Sequence, residues 1–281
     1  MRVLVYPIKL DSHRDKFKLF LGGDFHSGDA NYDEDSANRF VETILESKKS
    51  DCITRTALMG DYIAEFPKGD KRGDNRIQKA RIDPLAIYTD FRDFIKPISN
   101  TVVTCLTGNH DEDWWFENNI DYVNWMCAEL DIPYGTYESY VRFKVTCAGS
   151  DAKRNIDFLL WHGSGGGRTA GGAFNKVRGT IESFRKPEVI AMGHLHRLGM
   201  LHEQWLDIDE SEKDVVSKDQ YFVLTGGYQK GYNPKSDPPT SSYISKKMLP
   251  PVAIGGVCLT IQPFRDVGGK DILDVQFSEV R

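Results

Sequence analysis

Seven histidines punctuate the chain, and five of them fall in short polar blocks. These blocks are Gly23-Asp24-Phe25-His26, Gly108-Asn109-His110-Asp111, Trp161-His162-Gly163 and Gly193-His194-Leu195-His196. A further block, Gly60-Asp61-Tyr62, carries a carboxylate without a histidine. Asp24, His26, Asp61, Asn109, His162, His194 and His196 offer only oxygen and imidazole nitrogen. That donor set suits borderline divalent metals such as Mn, Fe or Zn and includes no soft thiolate. Seven ligands exceed what one ion takes and match two ions that share a carboxylate. Two metals roughly 3.5–4 Å apart form the clamp used in phosphoester hydrolysis. The Asp-x-His and His-x-His spacings predict that each pair projects from one side of an extended segment. His13 and His202 lie outside the blocks and read as ordinary polar residues.

The elements that must position these residues alternate through the first half of the chain. Strands are predicted over 16–24, 53–61 and 101–109, and helices over 35–50, 84–98 and 113–130. The β-α-β-α-β-α order predicts a mostly parallel sheet, and ligands bind at the carboxyl ends of such strands. After about residue 138 strands dominate: 140–147, 155–163, 187–194, 198–205, 220–227 and 255–261. That run predicts a second sheet packed on the first, with helices outside, in a single domain over 1–281. Residues 228–254 are rich in Pro, Gly and Ser and read as a long surface excursion.

The five blocks, in this order, resemble the calcineurin-like metallophosphoesterase superfamily. Its pattern is D-x-H, G-D, G-N-H-D/E, a lone His, then G-H-x-H, and the chain carries every block from Asp24 to His196. The glycine-rich stretch 162–172 further resembles members found in phages and prophages. The resemblance implies an α/β fold of two packed mixed sheets flanked by helices, a four-layer αββα sandwich. It implies Asp24, His26 and His196 on one metal, and Asn109, His162 and His194 on the other. Asp61 would bridge them. His110 would face the substrate as general acid or as a cation against the phosphoryl group, and Asp111 would orient it. The nucleophile would be a hydroxide shared by the metals. Manganese is the expected metal, with Fe, Zn or Ni as alternatives.

The resemblance also narrows the ester. Protein phosphatases of this superfamily place an Asp-Arg-Gly shortly after the second block and an Arg before the third. Here Tyr62, Ile63, Ala64 and Glu65 follow Asp61, and Thr107 precedes Gly108. Purple acid phosphatases place a metal-binding Tyr three residues after that Asp, where this chain has Ala64. An intact His110 fits phosphodiesterases and nucleases, so the expected substrate is DNA, RNA or a nucleotide diester. A phosphomonoesterase is the alternative enzyme. A non-catalytic scaffold of the same fold is the alternative of another class.

Other features admit two readings each. Arg168, in the loop Gly163–Gly172, either clamps a phosphate or sits on a flexible rim. Residues 65–83 carry six basic side chains against four acidic ones, which suits either a nucleic-acid track or a solvated loop. Trp114, Trp115 and Phe116 either stack a base or pack in the core. Asp29 reads as a turn residue or as support for a ligand.

Composition agrees with an intracellular enzyme. Apolar residues make up 40% and charged residues 27%, enough for a sizeable core and too ordered a mix for a disordered chain. A net charge of −5 excludes a globally basic nucleic-acid coat protein. Five scattered cysteines without a C-x-x-C argue against a disulfide framework and for a reducing compartment. No apolar run approaches the roughly 18 residues of a membrane span, and the start reads as mature chain. The expected location is the cytoplasm.

Overall fold

Apolar runs and alternating segments condense into two six-stranded sheets. The computed structural model describes residues 1–29, 31–63, 84–149, 151, 153–183, 187–208, 213–232, 245, 248–264, 266–267, 270–271 and 273–281. In chain order the elements begin with β1 (Arg2–Leu10), β2 (Phe17–Gly22), α1 (Glu34–Lys49) and β3 (Ile53–Leu58). There follow α2 (Pro84–Ile95), a 3₁₀ turn (Lys96–Thr101), β4 (Val102–Leu106), α3 (Asn109–Asn118), α4 (Tyr122–Leu130) and β5 (Tyr134–Thr136). Next come β6 (Glu138–Cys147), β7 (Lys153–Trp161), α5 (Ala170–Gly179), β8 (Val189–Met192), β9 (Leu198–Ile208) and β10 (Val215–Thr225). The chain closes with β11 (Gly256–Gln262), a small ribbon of β12 (Asp266–Val267) and β13 (Lys270–Asp271), and β14 (Asp274–Val280).

The first sheet runs β14-β11-β2-β3-β4-β5 and the second β1-β6-β7-β8-β10-β9. Both are mixed. β2, β3, β4 and β5 pair in parallel, while β11 and β14 join antiparallel. In the second sheet β7, β8 and β10 are parallel, with β9 antiparallel on β10. The inner faces meet in one apolar layer, Phe17, Leu19, Leu21 and Ala57 against Phe143, Phe158, Leu160 and Val223. Helices α1, α2 and α4 cover the other face of the first sheet through Phe40, Ile44, Tyr88, Phe91 and Met126. α5 covers the second through Ala173 and Val177. The layers are therefore helix, sheet, sheet, helix. Each fully buried Leu, Ile, Val, Phe or Met among them contributes about 1.5–3 kcal/mol.

Local chemistry fixes the helix ends. Asp33 caps α1 by accepting from Ser36 N at 3.3 Å, with Glu34 and Asp35 in the first turn and Lys48 and Lys49 in the last. The helix expected over 113–130 is two. Asn119, left-handed at φ 55°, ends α3, and Asp121 caps α4 through Asn124 N. The strands β1 and β14 were not anticipated because they are edge strands. Only alternate residues of β1 are buried near its end, so no continuous apolar run marks it. The glycine-rich stretch 162–172 is not all loop, since Thr169 caps α5 and the helix starts at Ala170. The excursion expected from residue 228 begins inside the core instead. Tyr228 is fully buried and stacks on Phe25 at 4.4 Å. Residues 65–83 and most of 233–247 lie outside the described residues.

Candidate metal centre

Every predicted ligand follows the carboxyl end of a strand. Asp24 and His26 follow β2, Asp61 follows β3, and Asn109 opens α3 after β4. His162 follows β7, and His194 and His196 follow β8. The ends of the two packed sheets thus converge on one site. The segments are not extended, as their spacing had predicted. Asp24, His26, Asp61, His194 and His196 all have φ between 50° and 63°, in the left-handed region. Such backbone costs on the order of 1–3 kcal/mol per residue and persists where surroundings over-determine it. Close approach of the loops enforces it here. Gly60 has φ 92°, and a Cβ on it would lie 2.7 Å from both Gly108 N and the His162 ring. A Cβ on Gly108 would collide with the Asp61 carboxylate.

The donor atoms form two sets that meet at one oxygen. Asp61 Oδ2 lies 3.8 Å from His26 Nε2 and 3.3 Å from His162 Nε2. On one side His196 Nε2 stands 3.2 Å from His26 Nε2 and 3.4 Å from Asp24 Oδ1. On the other, His162 Nε2 stands 3.2 Å from Asn109 Oδ1. Donor atoms of Asp24, His26 and His196 lie within 4.8 Å of one another, as do those of Asp61, His162 and His194. Backbone carbonyls set the tautomers. His162 Nδ1 donates to Met59 O at 2.7 Å, leaving Nε2 as the free lone pair. His194 Nε2 donates to Gly165 O at 2.9 Å, which leaves Nδ1.

These residues fit divalent cations. Asp24 Oδ1 and His194 Nδ1 are buried and make no hydrogen bond. Orphaned polar atoms at this depth are costly unless something ligates them. The electrostatics agree. Burial raises Asp24 well above the carboxylate range, despite the pull of His162. Burial also acts to raise Asp61, but His162, His110 and His26 outweigh it and hold its carboxyl well below that range. Burial disfavours charge on His162 too, yet Asp61 and Asp24 lift its pKa to about 10. Burial depresses His26 strongly, with His110 adding to it, and takes His196 down to about 4. Asp61 is held ionised and His26, His194 and His196 are held neutral, the state in which these groups ligate metals, whereas His162 carries a proton that a bound cation would replace.

His110 sits at the mouth of this cluster, half-buried, on the first turn of α3. Its backbone N–H donates to Asp61 Oδ1 at 2.9 Å, and its ring packs edge-on to His26 at 4.7 Å. A ring nitrogen of His110 also lies within 4.8 Å of donor atoms of His26 and Asp61. Asp111, which the resemblance implied would orient His110, makes its hydrogen bonds to other groups. Its two oxygens accept from Asp61 N at 2.8 Å, Gly108 N at 2.8 Å, Tyr62 N at 3.3 Å and Tyr88 Oη at 2.7 Å. It therefore ties two ligand loops and helix α2 together. Burial, with Asp61 nearby, raises its pKa to about 7. Helix position explains the difference, because the third residue of a helix points its carboxylate back at the orphaned N–H groups.

The remaining candidates divide. Arg168 is exposed, and its guanidinium donates to Met248 O at 3.3 Å. Among the described residues no contact draws it into the ligand cluster. Trp114 is 8% exposed and packs in the core, whereas Trp115 and Phe116 are 44% and 76% exposed. Asp29 is a turn residue that accepts from Asn31 N at 2.6 Å and from Gln229 Nε2 at 2.9 Å. Tyr88 and Tyr137 escaped the sequence reading. Tyr137 packs edge-on to His162 and donates to Gly163 O at 2.8 Å. No motif marks either tyrosine, since each acts across a long sequence separation.

The two-sheet sandwich, with an ordered Asp and His set at its strand ends, decides the architecture. The chain folds as two packed mixed six-stranded sheets flanked by helices, the four-layer α/β sandwich expected. Neither a protein-family model nor a curated protein matches it. Solved structures are similar to it at low identity. One is a conserved protein from Streptococcus pneumoniae TIGR4, described as a phosphoesterase from its sequence, at 11% identity and TM-score 0.32. That likeness covers 93% of this chain and 98% of the other. Zinc-bound Vps29 from Entamoeba histolytica has 10% identity and TM-score 0.35, with 94% and 100% covered. A candidate 5′-nucleotidase from Staphylococcus aureus, in complex with α-ketoglutarate, has 11% identity and TM-score 0.45. There 95% of this chain spans 54% of the larger protein. Among the described residues, no helix of the sandwich is long and apolar enough to cross a membrane.

Proposed function

We propose that this chain is a dinuclear metal-dependent phosphoester hydrolase, and that its preferred substrates are phosphodiesters of nucleic acids or nucleotides. The observation that carries the reading is the shared oxygen of Asp61, which faces the histidines of both donor sets. Asp24, His26 and His196 would hold one ion, and Asn109, His162 and His194 the other, with manganese the favoured metal. When bound, such ions supply Lewis acidity, a lowered pKa for water and charge neutralisation at phosphorus.

The side chains do the rest. Asp61 stays ionised and uses its second oxygen to fix the start of α3 through His110 N. That bond fixes the backbone of His110 beside the cluster, where its ring packs edge-on to His26. A half-buried imidazole there can donate its proton to the departing oxygen, which a poor leaving group requires. Asp111 holds the Asp61 and Gly108 loops at fixed separation. Tyr137 and the Gly163 turn wall His162 from water on its far side. A diester is favoured over a monoester because no arginine flanks Asp61 or Gly108 to grip a doubly charged terminal phosphate.

A side-by-side hydrolysis assay with Mn²⁺ tests this reading. It compares a chromogenic phosphodiester, the matching monoester, and labelled single- and double-stranded DNA. Faster diester cleavage is expected. Preference for the monoester would replace the diester assignment, and no turnover with metal bound would favour the scaffold alternative.

A further inference from the structure

The end of the sandwich opposite the metal centre holds a shallow, open cavity of about 540 Å³ lined in part by Lys9, Lys48, Asp51, Arg55 and Asn100. Residues of β1 in one sheet and of the start of β3 in the other both line it. Arg55 is out of keeping with its position. It pairs in register with Leu19, and its neighbours Ile53 and Ala57 on the same face of β3 feed the apolar layer between the sheets. Alternation would put an apolar residue there.

Instead a half-buried guanidinium occupies it, with its Nη1 donating to Thr54 O at 2.9 Å. Burial pushes its pKa down, against the pull of Tyr6, and among the described residues it forms no ion pair. A partly buried cation without a counter-ion is costly, and arginine in such places is normally paired. Lys9 lines the same cavity and has no ion-pair partner among the described residues. Lys48 donates to Asn100 Oδ1 at 2.7 Å, which leaves the Asn100 amide N–H groups available. Among the described residues the cavity's one carboxylate is that of Asp51, against three cations. The last turn of α1, whose carbonyls would repel an anion, is closed off by Ser50 on Ser47 O at 2.6 Å.

We propose that this cavity is a binding site for a small phosphate-type anion, gripped by the forked guanidinium of Arg55 and by Lys9. Guanidinium presents paired N–H donors that match two oxygens of a tetrahedral anion. The site is separate from the metal centre: β3 runs about 17 Å at strand rise from Ile53 at the cavity to Leu58, and Asp61 lies beyond that end.

Calorimetric titration with inorganic phosphate tests it, using the unsubstituted protein, Arg55→Gln and Asp61→Asn. Arg55→Gln is expected to weaken phosphate binding about ten- to a hundredfold, the loss of charge-assisted hydrogen bonds. Its phosphodiester turnover should be unchanged, and its phosphate-free melting temperature equal or higher, since an unpaired cation is removed. Asp61→Asn should keep this binding. Phosphate binding unaltered by Arg55→Gln, binding abolished by Asp61→Asn, or no saturable binding at all would each overturn the proposal. A lower melting temperature in Arg55→Gln without weaker binding would mark Arg55 as structural and overturn it too.

Discussion

A single carboxylate oxygen can serve two cation sets only while it stays ionised, and the three imidazoles around Asp61 keep it so. Removing that carboxylate should empty the site. Asp61→Ala is expected to lose bound metal and at least about a thousandfold in turnover, read by metal analysis and assay together. His110→Ala should behave differently. It should keep its metals and lose on the order of 10²–10⁴ in rate on diesters with poor leaving groups, far less on an activated aryl ester. Equal loss on both esters would remove the proton-donor role, and loss of metal would make His110 a ligand. Asp111 is tested through its partner. Tyr88→Phe removes one of four hydrogen bonds to that carboxylate and should lower metal affinity modestly, while Asp111→Asn sets an N–H₂ against buried donors and should cost about 1–3 kcal/mol of stability per broken bond. The identities and order of the ligands were legible in the sequence because metals demand particular donors. The left-handed backbone at Asp24, His26, Asp61, His194 and His196 was not, because Asp and His are enriched in that region but rarely adopt it, so residue type alone does not mark it. Neither was the work of Asp111, since helix position rather than residue type directs its oxygens.

Elements were legible where both faces are covered. β2, β4 and β8 are nearly all buried and read as apolar runs, and α1 shows its stripe of Phe40, Val41 and Ile44. Edge strands β1 and β14 and the glycine-bearing α5 gave weaker patterns, so tertiary packing decided them. Where β8 begins, Glu188 offers a test of the second sheet. Burial raises its pKa, and its Oε2 accepts from Asp157 N at 2.8 Å. The folded state therefore binds this proton more tightly than the unfolded chain. Its contribution to stability is complete below the unfolded value near 4.5 and is lost as pH rises through the higher folded value. Glu188→Gln keeps an acceptor and removes the titration. Melting temperatures from about pH 4 to 8 should decline less steeply in that variant than in the unsubstituted protein. Parallel profiles would mean that Glu188 is not perturbed.

At the scale of the molecule, the centre ties the two sheets together, with Asp24, Asp61 and Asn109 from one and His162, His194 and His196 from the other. Ligands that bridge layers make metal binding a folding term. Chelation should lower the melting temperature, and an ion at a hundred times its dissociation constant should restore about 2.7 kcal/mol per site. The pairing of sheets was legible from the change in element pattern near residue 138. The convergence of their ends was legible only through the motif order. The most direct test of the whole account is the metal stoichiometry and electron paramagnetic resonance spectrum of protein reconstituted with Mn²⁺. Two ions per chain with a spin-coupled signal, lost in Asp61→Ala, are predicted. One ion per chain, or two uncoupled ions, would contradict the shared-carboxylate centre.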